Sequence, residues 1–257
     1  MAATLFMIHG MWGTSRDWGR YIAFFESRGY RCIATTLPYH DSDPRDPPDP
    51  RLGTASLLDY ADAMERELRQ LDEPPVIMAH SMGGLVAQIL GARGLARSLV
   101  LLTPAAPAGI LSLTPSVIRS FWRTQLRWGF WRKPLRQTFA DAAYSSLNLL
   151  PEEEQRKCYA GYGYESGRVI FEIGYWPLDR RRAARVDEAR ITCPMLVVAG
   201  TQDHITPAPV ARKVARKYHA VSTYREFPGH AHWVLGEPGW EDIAQYVADW
   251  LEQQRPR

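Results

Sequence analysis

Pro74-Pro75-Val76-Ile77-Met78-Ala79-His80-Ser81-Met82-Gly83-Gly84-Leu85-Val86 constrains this chain more than any other stretch. Val76 to Ala79 is a short continuous apolar run, the pattern of a strand buried on both faces. Leu85 to Leu90 reads as a helix, which leaves Ser81 on a tight strand-to-helix turn. Ala79, Gly83 and Gly84 surround it. Such a turn needs small neighbours, because strand and helix approach closely and the central residue takes strained backbone angles. It would lift the Ser81 hydroxyl clear of the sheet and set a helix N-terminus, with its free N–H groups, beneath it. Taken alone, the stretch is equally a glycine-rich turn with an incidental serine.

The rest of the chain supplies the context. Thr4 to Ile8 is a strand running into the glycine loop His9-Gly10-Met11-Trp12-Gly13. Asp17 to Arg28 carries Trp18, Tyr21, Ile22 and Phe25 at helical spacing, and Gly29 stops it. Arg31 to Thr35 is a second strand. The five prolines at 38, 44, 47, 48 and 50 make the next segment an irregular surface loop. Thr54 or Ser56 caps a helix whose apolar stripe is Leu57, Ala61, Met64, Leu68 and Leu71. Leu99 to Leu102, Met195 to Ala199 and Val221 to Phe227 are further strands. Val210 to Tyr218 and Ile243 to Leu251 are helices. Strands alternating with helices predict an α/β fold, a mostly parallel, doubly wound sheet of about six strands. At 257 residues the chain is long for one domain and short for two, a length that α/β folds often reach undivided.

In an open α/β sheet, chemistry gathers at the carboxyl ends of the strands. The first strand ends at His9-Gly10-Met11 and the third at Ser81. The strand at 195–199 runs into Asp203-His204, and the last strand into His230-Ala231-His232-Trp233. A single crossover separates Asp203 from His232, so both return to the edge of the sheet that carries Ser81.

On these residues the chain resembles the α/β-hydrolase fold superfamily, serine esterases and lipases with a helical cap. The shared features are a His-Gly loop after the first strand, the serine turn, and Asp203 and His232 in the order Ser…Asp…His. Ala79 stands where the first glycine of Gly-x-Ser-x-Gly is usual. The resemblance implies that Ser81 is the nucleophile, His232 its base and Asp203 the orienting carboxylate. It also implies backbone N–H groups of Met11 and Met82 as the oxyanion hole. His232 is preferred to His230 as the base because Trp233 follows it and Pro238 opens the next helix at the expected distance. His9 and His80 read as supports for their loops, and His219 as surface. A metal site built from His230, His232, His204 and Asp203 would leave the serine turn unexplained. Dinucleotide binding fails for want of Gly-x-Gly-x-x-Gly. Ser81 also excludes the epoxide- and haloalkane-hydrolysing branches, which use an aspartate there.

The family layout divides the chain into a core, 1–103 and 191–257, and a helical cap, 104–190. The middle differs in charge, with 14 Lys+Arg against 9 Asp+Glu, where the remainder has 17 against 19. Pro115 to Arg136 interleaves Val117, Ile118, Phe121, Trp122, Leu126, Trp128, Phe130 and Trp131 with basic residues. The favoured reading is a lid, aromatic face over an apolar pocket and arginines in water. Membrane-surface contact is less favoured, and no second feature supports a nucleic-acid partner. Arg180-Arg181-Arg182 reads as a solvated helix face. Cys32, Cys158 and Cys193 fit neither a disulfide framework nor a zinc site. With no signal peptide and no apolar run near the roughly 18 residues of a membrane span, a cytoplasmic location is expected. The expected activity is hydrolysis of a small apolar or aromatic acyl ester without cofactor or metal. Carbon–carbon or thioester hydrolysis by the same residues, and a low-turnover ligand-binding protein, are the alternatives.

Overall fold

The computed structural model describes residues 3–254. The first half runs β1 (Thr4–Ile8), α1 (Gly19–Glu26), β2 (Arg31–Thr35), α2 (Leu57–Leu68), β3 (Val76–His80), α3 (Met82–Ala92) and β4 (Ser98–Leu102). An insertion follows, with α4 (Pro115–Gln125), β5 (Pro134–Leu135), α5 (Phe139–Ser145), α6 (Glu152–Ala160), β6 (Glu165–Ser166) and α7 (Gly167–Gly174). The chain closes with β7 (Met195–Gly200), α8 (Ala208–Lys217), β8 (Ser222–Phe227) and α9 (Trp240–Gln253). Six of the strands form one sheet in the order β2-β1-β3-β4-β7-β8. Every pairing in it is parallel, so the sheet is wholly rather than mostly so.

Strand periodicity divides the core in two. Phe6, Ile8, Ile77, Ala79, Leu99 and Leu101 face one side, against α2, α3 and α8. Leu5, Met7, Met78, Val100 and Leu102 face the other, against Trp18, Tyr21 and Phe25 near α1 and Ile243, Val247 and Leu251 on α9. Both faces are apolar because both are covered, which is why these strands read as unbroken hydrophobic runs.

Local chemistry sets the boundaries. Ser56, not Thr54, caps α2: its side chain accepts from Leu58 N–H while Asp59 reaches back to the Ser56 N–H. Thr54 instead ends a short 3₁₀ turn. Asp17 and Trp18 lie in a 3₁₀ turn capped by Thr14, so α1 begins two residues later than the apolar spacing suggests. Arg180 to Arg182 is exposed but not helical. The Asp179 carboxylate takes the N–H groups of Arg181 and Ala183, and this side-chain bonding competes with the helix.

The insertion joins β4 to its sheet neighbour β7, so it stands over the carboxyl ends of the strands. It has its own core, with Phe130, Leu135, Ala142, Leu147, Tyr162 and Ile170 around Trp12. Two buried carboxylates tie it down. Glu172 on α7 accepts from the Ser56 hydroxyl at 2.8 Å and the Leu57 N–H at 2.9 Å. Glu165 accepts from the Tyr60 hydroxyl at 2.8 Å and meets His40 at 3.2 Å. The apolar residues of the α4 region point two ways. Val117, Ile118 and Phe121 line a cavity beneath it, whereas Trp122 and Trp128 face outward, Trp128 being 86% exposed.

Candidate active site

Ser81 joins β3 to α3 at φ 52°, ψ −121°, a conformation that costs an ordinary residue about 1–3 kcal/mol. Close packing enforces it. The Ser81 N–H donates to the Leu102 carbonyl at 3.0 Å, and its carbonyl accepts from Gly84 and Ala105 at 2.9 and 2.8 Å. A side chain at Gly83 would strike the Ile8 and His9 carbonyls, and one at Gly84 would sit 2.7 Å from Pro104. A Cβ at Gly10 would sit 2.9 Å from the Ser81 Cβ, so the His-Gly loop lies directly against the serine turn.

The three residues singled out at the strand ends come together. His232 Nε2 lies 2.9 Å from Ser81 Oγ, and its Nδ1 lies 2.8 Å from Asp203 Oδ2. All three side chains are buried. Asp203 is fixed by three further bonds. Its Oδ1 accepts from the N–H groups of Ile205 at 2.7 Å and Thr206 at 2.8 Å, and its Oδ2 accepts from the Thr206 hydroxyl at 2.8 Å as well as from His232. Burial alone would raise the Asp203 carboxyl; the His232 ring and the Thr206 donors outweigh it and hold it below the usual carboxylate range. With Asp203 ionised, His232 carries its proton on Nδ1 and turns Nε2, as an acceptor, toward the Ser81 hydroxyl.

The other histidines have different tasks. His80 Nε2 donates to the His232 carbonyl at 2.9 Å, and burial beside His232 lowers its pKa to about 3. It therefore stays neutral and supports the His232 backbone. His9 accepts from the Leu37 N–H through Nε2 at 3.0 Å and donates to the Gly10 carbonyl through Nδ1 at 2.8 Å. Burial beside His40 also takes it to about 3. His230 turns away and pairs with Glu237 at 2.9 Å, and His204 Nδ1 bonds the Tyr144 carbonyl at 2.7 Å. The histidines that could have shared a metal thus point to separate partners. Among the described residues no cluster of potential metal ligands forms.

Met11, Ser81 and Met82 line one cavity of about 330 Å³. Met82 is the first residue of α3, where helical N–H groups have no partner within the helix. The cavity wall is mainly apolar, with Ala106, Phe121, Ile170, Ile173 and Trp176 contributing. Its mouth carries Leu111, Leu113, Ile118 and Leu178, all exposed. Sequence reading assigned no site role to Thr206, Thr103 or Trp176. Thr206 follows Asp203 by three residues, a spacing at which a hydroxyl returns to a carboxylate. Thr103, at φ 45°, donates to the His232 carbonyl at 3.3 Å, which the sequence gives no sign of.

A parallel sheet, a strained serine turn and a Ser–His–Asp hydrogen-bond chain define the layout of the α/β-hydrolase class. The profile of the alpha/beta hydrolase family matches residues 5–245, and the chain belongs to that family. Among solved structures it is similar to a monoacylglycerol lipase from Paleococcus ferrophilus, 20% identical over 98% of this chain and 95% of that one, with a TM-score of 0.72. A pyrethroid hydrolase from Sphingobium faniae JZ-2 is 16% identical over 98% of each chain, with a TM-score of 0.73. An extracellular α/β-hydrolase from a Paenibacillus species is 16% identical over 96% of this chain and 98% of that one, also at 0.73. At these identities the likeness speaks for the fold. No curated protein matches the chain in sequence.

Proposed function

We propose that the chain is a cytoplasmic serine hydrolase that cleaves carboxylic esters of apolar acids through an acyl-enzyme. The observation that carries this reading is the continuous bond chain from Asp203 through His232 to Ser81, with the serine opening into an apolar cavity.

In this reading His232 Nε2 removes the Ser81 proton as Oγ bonds to the ester carbonyl carbon. Negative charge then collects on the carbonyl oxygen, where the N–H groups of Met11 and Met82 would receive it, each lowering the barrier by about 3 kcal/mol. The carbon–oxygen bond to the alcohol breaks, and the alcohol leaves with the proton from Nε2. Water next gives a proton to Nε2 while its oxygen attacks the acyl carbon. Ser81 departs and recovers that proton, and the acid is released. Asp203 stays ionised throughout, holding the ring and stabilising the imidazolium. The sequence so written uses no cofactor and no metal.

Residues 104–190 act as a cap in this account, with α4 and α7 forming the roof of the acyl cavity. No helix among the described residues is long and apolar enough to cross a membrane, and the cytoplasmic assignment rests on the three free thiols of Cys32, Cys158 and Cys193. A fluorophosphonate probe tests the reading: the expected adduct maps to the peptide holding Ser81, and no adduct there, on protein that remains folded, would refute it.

A further inference from the structure

Ser81 stands at a waist between two chambers of very unequal size. The apolar cavity of about 330 Å³ is lined by Met11, Ser81 and Met82 but not by His232. On the other side lies a chamber of only about 20 Å³, lined by Trp12, Asp17, Ser146, Tyr162, His232 and Trp233. Met11, Ser81 and Ile205 border both. The smaller space holds about one water molecule. Its walls are partly polar: Tyr162 OH and Ser146 Oγ lie 2.8 Å apart, and Asp17 accepts from the Thr14 N–H at 3.2 Å.

Taking Ser81 and His232 as nucleophile and base, on which this inference rests, the two chambers must receive different parts of the substrate. The leaving oxygen takes its proton from His232 Nε2, so it must come within about 3 Å of that atom. Only the small chamber is lined by His232. The carbonyl oxygen turns toward Met11 and Met82, which directs the acyl chain into the large cavity. We infer that the substrate is an ester of a bulky apolar acid with a small, neutral alcohol, the alcohol occupying the Asp17–Ser146–Tyr162 chamber. After it departs, the hydrolytic water takes the same place, beside Nε2 and among the polar partners that a confined water needs.

Asp17 adds to the selectivity. Burial pushes its carboxyl up to about 7, so near neutrality it both donates and accepts. An anionic alcohol would meet a partly charged carboxylate, whereas a neutral hydroxyl meets a partner of either kind. Tyr162 sets the size of the chamber. It is buried and held by Ser146, and its ring belongs to the insertion's core.

Two ester series test the inference, each followed by acid release. With decanoate fixed, kcat/KM should fall at least tenfold from the methyl to the butyl ester. With methyl alcohol fixed, it should rise at least tenfold from acetate to decanoate. Tyr162→Ala should recover most of the loss on the butyl ester. Should that variant fail to fold, Ile173→Trp serves instead: it narrows the large cavity and should lower decanoate turnover at least tenfold while sparing acetate. Turnover that disappears in Ser81→Ala, yet favours large alcohols and short acids, would overturn the chamber assignment and leave the nucleophile standing. Turnover unchanged in Ser81→Ala would instead remove the reading beneath it.

Discussion

Replacing Asp203 by asparagine isolates one atom of the proposed machinery. The substitution is isosteric, and its orientation is dictated by the backbone. Two N–H groups, of Ile205 and Thr206, point at Oδ1 from 2.7 and 2.8 Å, so the amide oxygen must take that position. The amide nitrogen then replaces Oδ2 and faces His232 Nδ1 and the Thr206 hydroxyl. It donates to Nδ1, which shifts the ring proton to Nε2, where it points at Ser81 and the ring can no longer act as a base. Thr206 keeps a partner in the Thr103 carbonyl at 3.0 Å, so no buried group is orphaned. The same change in the serine-protease triad lowers kcat about 10⁴-fold, equivalent to roughly 5 kcal/mol in the barrier. A loss of that order is expected here, with Tm nearly unchanged. Turnover measured by acid release, beside a thermal melt, checks both. A folded Asp203→Asn protein with kcat within tenfold of the parent would refute the tautomer argument.

Two further outcomes follow from the histidines. His230→Ala should keep kcat within about tenfold while lowering unfolding stability by roughly 1–3 kcal/mol, because the buried Glu237 loses one of its two partners and keeps only the Ala231 N–H; a kcat loss above a thousandfold in urea-stable protein would make His230 the base. His9 and His80 are held neutral at pKa values of about 3, below the ordinary 6.5. The stability they contribute is therefore complete above pH 6.5 and lost as pH falls toward 3, up to roughly 4–5 kcal/mol for each. Asp17, raised to about 7, acts in the opposite direction between pH 7 and 4. Urea midpoints should fall from pH 7 to pH 4, less steeply in His80→Gln than in the parent, and equal slopes would count against a neutral buried His80.

What could be read from the sequence was what depends on strand ends. The positions of Ser81, Asp203 and His232 follow from apolar runs and one crossover, and the small residues at Gly10, Gly83 and Gly84 match contacts that leave no room for a Cβ. Six strands were expected and six form the sheet. The insertion was read less well, because its helices pack against one another and against Trp12, so composition alone does not say which aromatic faces inward. Phe121 lines the cavity, Phe130 and Tyr162 build the insertion's own core, and Trp128 lies in solvent. Asp17 sits within an ordinary capping box and gives no local sign of facing a chamber formed with residues some 130 positions away. No helix forms over Arg180–Arg182, because one carboxylate, Asp179, takes the N–H groups of Arg181 and Ala183, and nothing in the local sequence marks that bonding.

The central claim is that Ser81 performs the chemistry, and its most direct test is the hydrolysis rate of a methyl ester by Ser81→Ala beside the parent protein. Removal of the hydroxyl leaves the cavity and the Asp203–His232 pair in place. The account predicts a loss in kcat of roughly three or more orders of magnitude in a protein that melts like the parent. Near-full activity in that variant would contradict it.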